Sequence, residues 1–202
     1  MRIQDLASMD GANRLRLALG LDEDQVSKIQ SLVSSMAGAN PHIKETYVGK
    51  SAPGVSFYDF KNNRLGIGHK SSDVLAHEMG HAASLANASD FYKGLLRASK
   101  RASRISNALA LPVSTFIGLN PKMTREQKDK ALDIATGISA AVTAPNLFEE
   151  LKASGSAIYH SPTKLRTGAA MVPGIVSHSI SDLTAPTTYY LSKKLLGEDT
   201  ND

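Results

Sequence analysis

Residues 71–88 read SSDVLAHEMGHAASLANA, and the reading of the whole chain turns on this stretch. Ser71, Ser72 and Asp73 offer an N-cap and a first-turn acid for a helix that the spacing carries to about Ala88. Leu75, Met79, Ala82 and Ala86 fall on one apolar face of that helix. Roughly opposite, His77 and His81 lie one turn apart and about 40° around the axis, so both imidazoles reach the same point in space. Glu78 sits beside them. Gly80 costs such a helix about 1 kcal/mol relative to Ala, which predicts that another backbone approaches closely there.

Two histidines in a His-Glu-x-x-His pattern are a metal-ligating pair, and the intervening glutamate is placed to act as general base toward a water acidified by the metal. The chain has no Cys, so any metal must be held by His, Asp or Glu. Zinc requires a third protein ligand and an open position. The metzincin pattern would continue with x-x-Gly-x-x-His, but Ser84 and Asn87 occupy those places and exclude it. A carboxylate on a second helix is the alternative, and Leu147-Phe-Glu149-Glu150-Leu-Lys-Ala-Ser154 supplies two. If Leu147, Leu151, Ser154 and Ile158 form the inward stripe, Glu150 lies roughly 70° from its centre and Glu149 on the solvated side near Lys152. The expected ligand set is therefore His77, His81 and Glu150.

Working outward, VSFYDF and RLGIGH flank Lys61-Asn62-Asn63, a pattern that predicts a β-hairpin whose edge strand can line an extended peptide. The apolar spacing from Ala12 to Met36 predicts two short helices broken at Gly20 and ended by Gly38-Ala-Asn-Pro41. Everything after residue 88 reads as helix. Uncharged stretches lie between Arg104 and Lys122, Asp133 and Glu149, and Arg166 and Asp182. Each falls short of the ~20 residues of a membrane span and contains Pro112, Pro145 or Pro173, so buried core helices are expected, with shallow membrane contact as the alternative. The fold class is mainly α with a small β-hairpin or sheet, an α+β chain. The expected organisation is an N-terminal helical segment at 1–54, a main domain at 55–196 and a frayed tail at 197–202.

With 202 residues, 42% hydrophobic, 21% charged and a net charge of +4, the chain is sized for one globular domain and is neither disordered nor fibrous. The basic run from Lys93 to Arg104, KGLLRASKRASR, reads as a solvated helix face, with contact to acidic lipid or nucleic acid as the alternative. No aromatic interleaving accompanies it, so no nucleic-acid partner is expected. The opening MRIQDLASMDGANRLRL has no continuous apolar run, so no signal peptide is expected. A soluble chain or one in peripheral membrane contact is the resulting expectation.

His77-Glu78-Met79-Gly80-His81, followed by Val142-Thr143-Ala144-Pro145 and by Glu150-x-x-Ala153-Ser154-x-x-Ala157, resembles the gluzincin metallopeptidases, in particular the neutral zinc metallopeptidases and the prenyl-protein endopeptidases. The resemblance runs from about Phe57 to Ala157 and is specific at the two motifs. It implies a zincin-like fold, a zinc ion on His77, His81 and Glu150, Glu78 as base, and endopeptidase action on a peptide or protein substrate. An oxyanion-stabilising group usually accompanies such a site. Tyr159, His160 and Arg166 are the candidates, and His160-Ser161-Pro162-x-x-x-Arg166 resembles a His-Pro-Pro-x-x-x-Arg segment of the prenyl-protein endopeptidases. His160 is the leading choice among the three, against a plain helix-end role. His69 is expected to end a strand rather than to support a ligand. The reading from another class is a structural component of a larger assembly, such as a virus particle or secretion machine, that keeps the gluzincin fold; the presence of Glu78 argues against complete loss of catalysis.

Overall fold

The computed structural model describes residues 1–49, 55–161 and 164–198. Helix α1 spans Met9–Leu19, with the Ser8 hydroxyl accepting from the Gly11 N–H, and ends at Gly20 in the left-handed region at φ 63. Helix α2, Glu23–Met36, starts from a reciprocal cap in which Asp22 accepts from the Gln25 N–H and Gln25 accepts from the Asp22 N–H. These are the two helices that the spacing around Gly20 predicts.

The hairpin forms where expected, from β2 (Phe57–Asp59) and β3 (Arg64–Ile67), which pair antiparallel. Asp59 Oδ1 accepts from the N–H groups of Lys61 and Asn62, and Asn63 takes the left-handed conformation at φ 52. A further strand, β1 (Glu45–Val48), pairs parallel with β3 and completes a sheet of order β1-β3-β2. It lies inside the 1–54 segment expected to be helical. Four residues that pair across nearly twenty others leave almost no local pattern, which is why the strand was not legible in sequence.

The remainder is helical: α3 (Ser72–Leu85), α4 (Asp90–Leu119), α5 (Arg125–His160) and α6 (Lys164–Glu198). Ser71 caps α3 by accepting from the Asp73 N–H. Of the tail expected at 197–202, α6 takes in the first two residues, and residues 199–202 lie outside the described residues. The fold class is thus mainly α with a small three-stranded sheet.

The chain divides into two compact units, and the division does not follow the boundary expected at 54/55. The first unit comprises Met1–Ser89 and Glu149–Ile175. One core joins Leu15 of α1, Ile29 and Val33 of α2, Leu65 and Ile67 of β3, Leu75 and Met79 of α3, and Ala157 of α5. The N-terminal helices are therefore part of the unit that carries α3, because their apolar faces are buried against the same sheet and helix.

The second unit comprises Asp90–Phe148 and Val176–Asp202. Its core is small, built on Ala110, Ile117, Leu132, Ala185 and Tyr189. Polar bonds join its helices: the Ser106 and Ser139 hydroxyls pair at 2.8 Å, Asn107 bonds the Ser181 carbonyl and the Ala185 N–H, and Lys193 meets Asp133. The uncharged stretches of α4 and α5 are not wholly buried core. Ala110, Ser114, Ile117, Ser139 and Thr143 are buried, whereas Leu109, Leu111, Phe116, Ile134 and Ile138 are exposed. A helix whose large apolar residues fall mostly outside the inner stripe buries the small and hydroxyl residues that the stripe contains. Among the described residues no helix is long and apolar enough to cross a membrane.

Candidate metal centre

Helix α3 brings His77, Glu78 and His81 to the site, and the continuation of α5 from Glu149 brings the carboxylates. The two helices pack where Gly80 faces Ala153. A Cβ on Gly80 would stand 2.1 Å from the Ala153 carbonyl oxygen and 3.2 Å from the Ala157 Cβ, so the approach that the glycine predicts is present. Gly80→Ala should therefore force α3 and α5 apart, lowering stability by about 1–3 kcal/mol and reducing metal uptake together with it. Thermal unfolding and zinc content measure both; an unchanged melting temperature would show that the contact tolerates a methyl group.

The side chains of the three candidate ligands lie close together. His77 Nε2 lies 3.1 Å from Glu150 Oε2, His81 Nε2 lies 3.2 Å from His77 Nε2, and His81 Nε2 lies 3.4 Å from Glu150 Oε2. Ligands held about 2.0–2.1 Å from one tetrahedral centre are separated by about 3.3 Å, so this triangle has the edges of one face of a zinc coordination shell. Metal-ligand candidates within reach of one another among the described residues are these three. The side chains of His77 and His81 keep 15% and 12% of their surface exposed.

The other ring nitrogens point to oxygens. Ser154 Oγ lies 3.3 Å from His77 Nδ1, and Glu149 Oε1 lies 3.5 Å from His81 Nδ1. Such partners on Nδ1 favour the tautomer that frees Nε2 for a metal. Glu149 is thus not the solvated residue that the sequence suggested; only 2% of its surface is exposed, against 7% for Glu150. The Ser84 hydroxyl donates to the same Glu149 oxygen, and Lys152 stands 3.9 Å from the other. Burial works against its charge, but His81, Ser84 and Lys152 prevail and hold the Glu149 carboxyl below the usual range. For His81 burial likewise opposes charge, and the two carboxylates outweigh it, pushing the imidazole up to about 9.

The error over Glu149 has a definite origin. Leu151, assigned to the inward stripe, is 59% exposed, and the stripe is formed instead by Glu149, Glu150, Ala153, Ser154 and Ala157. The large apolar residues suggested the wrong face because the close approach at Gly80 admits only small side chains. About 100° apart, Glu149 and Glu150 straddle the Ala153 and Ala157 line, so both turn inward. The small residues at 153 and 157 were the sequence signal that could have identified both carboxylates.

Glu78 is fixed from the sheet. Its Oε2 accepts from the Tyr58 N–H of β2 at 2.8 Å. Burial pushes the Glu78 carboxyl above its ordinary range, and the nearby His81 and His77 pull in the opposite direction. His160 does not join this group. It ends α5 ten residues beyond Glu150, about 15 Å along the axis, and its ring packs edge-on against the exposed Tyr159. The continuity of α5 prevents the chain from folding back to bring either residue to the triangle. Of the segment that pointed to His160, Pro162 lies outside the described residues. His69 Nδ1 accepts from the Ser71 N–H just beyond β3, the strand-end role expected of it.

No protein-family model matches the chain, and no curated protein or solved structure matches it either.

Proposed function

We propose that this protein is a zinc-dependent endopeptidase of zincin-like fold. The observation that supports this reading most is the triangle of His77 Nε2, His81 Nε2 and Glu150 Oε2, with each Nδ1 backed by an oxygen. When bound there, zinc would supply a Lewis acid that polarises a carbonyl and acidifies a water toward a pKa of about 7.

The chain's own residues account for the remaining roles. Glu78 takes the proton of the attacking water on Oε1, since Oε2 is engaged by the Tyr58 N–H. A carboxylate whose burial raises its basicity is better matched to that transfer than an exposed one. The same carboxyl, once protonated, can return the proton to the leaving amine. Glu149 and Ser154 orient the imidazoles. β2 is an edge strand of the sheet beside Glu78, and with the Tyr58 N–H engaged by Glu78 it offers an extended peptide the Tyr58 carbonyl as acceptor.

Metal analysis of the purified protein with cleavage of a peptide library tests the reading. About one zinc per chain and hydrolysis that a chelator abolishes and zinc restores are expected. Zinc without cleavage of any peptide would favour the assembly-component reading; absence of zinc affinity would reduce the triangle to a hydrogen-bonded cluster.

A further inference from the structure

The 30-residue helix α4 carries large apolar residues on two faces. Its inner face buries Leu96, Ala110 and Ile117 beside the hydroxyls of Ser99, Ser103 and Ser114, with Ser99 Oγ donating to the Val142 carbonyl and Ser114 Oγ to the Ala110 carbonyl at 2.8 Å. Its outer face carries Ile105, Leu109, Phe116 and Leu119, spaced i, i+4, i+11 and i+14 and between 49% and 78% exposed. A helix whose outer face meets only water carries polar residues there. A second, outward apolar stripe flanked by basic residues is the arrangement that suits a lipid interface.

The charge on the same helix is as uneven. Between Phe91 and Arg125 the chain has seven Lys or Arg and no Asp or Glu, in a protein with 23 basic and 19 acidic residues overall. Arg97, Lys100, Arg101 and Arg104 are exposed in the turns that lead directly into the apolar stripe. None of these four has an ion-pair partner among the described residues.

We propose that the outer face of α4 docks on an anionic lipid bilayer, with its apolar stripe at the headgroup–acyl boundary and Arg97, Arg101 and Arg104 at its flank against lipid phosphates. The uncharged part of the stripe, Ile105 to Leu119, is about 22 Å long, less than the ~30 Å hydrocarbon core, so the helix lies in the interface and does not traverse it. Anionic lipid satisfies both halves of the face. A second copy apposed through the same face of α4 brings the same cations and no acid to receive them, and a nucleic acid would leave the isoleucine, leucines and phenylalanine without a partner.

The full chain contains no Trp, so Phe116→Trp is a single reporter on the proposed surface. With phosphatidylcholine vesicles containing phosphatidylglycerol, its emission should shift to the blue and the protein should co-sediment; with phosphatidylcholine alone, neither should occur. Reversing Arg97, Arg101 and Arg104 to Glu should weaken binding by at least on the order of 10²-fold. Phe116→Asp, at an exposed position, should weaken it by roughly tenfold or more with circular dichroism unchanged. Failure to bind the anionic vesicles overturns the proposal. So does binding that Phe116→Asp leaves intact, which would mean adsorption by charge alone. A dimer that this substitution dissociates, or duplex DNA that displaces the vesicles without a blue shift, would assign the face to those partners instead.

Discussion

Glu78→Gln is expected to lower peptide hydrolysis by at least about 10²–10⁴-fold while zinc content stays at the wild-type level. The amide cannot accept the water proton, yet His77, His81 and Glu150 remain in place, and its carbonyl oxygen can still receive the Tyr58 N–H. Activity and metal must therefore separate in this variant. Hydrolysis measured under zinc-saturating conditions checks it, with metal content determined on the same sample. Retained turnover would remove Glu78 from the reaction; joint loss of zinc and turnover would mean that Glu78 helps hold the metal.

The two adjacent carboxylates should differ in degree. Glu150→Ala removes an atom of the triangle itself and is expected to weaken zinc binding by well over the ~10–100-fold typical of losing a supporting partner. Glu149→Ala should fall within that range, because His81 Nδ1 loses its acceptor and the Ser84 hydroxyl loses its carboxylate, while the three converging atoms stay. Competition of each variant with a zinc chelator gives the affinities, and unfolding curves show whether either loss reflects a disrupted fold. If Glu149→Ala proved the more damaging, the α5 carboxylate facing the ion would be Glu149, and the helix would have to be rotated from its present setting.

Sequence order made the α3 half of the site legible because its information is local. His77, Glu78 and His81 lie within five residues on one helix, and helical periodicity alone brings the two imidazoles together. The same holds for the Gly20 break between α1 and α2 and for the Asp59–Asn63 turn, where one residue's backbone preference sets the geometry. Glu150 could be chosen from a distant segment through its Glu-x-x-Ala-Ser context. His160 could not be judged in that way: proximity in sequence suggested reach, but a straight helix converts ten residues into about 15 Å.

What the chain determined by itself was thus α1, α2 and α3, the helical character of the rest, the hairpin and the identity of the triangle's atoms as candidates. Tertiary structure decided which face of α5 turns inward. That choice depends on the Ala153 carbonyl fitting against Gly80, a contact between segments more than seventy residues apart, and it brought Glu149 onto His81 against the pattern of the large apolar residues. It also decided that β1 is a strand, since a four-residue segment acquires that identity only from its partner β3. The second unit buries serines beside Ile117 and Leu132 and leaves Leu109, Phe116 and Leu119 exposed, because interhelical hydroxyl bonds need small residues at the contact.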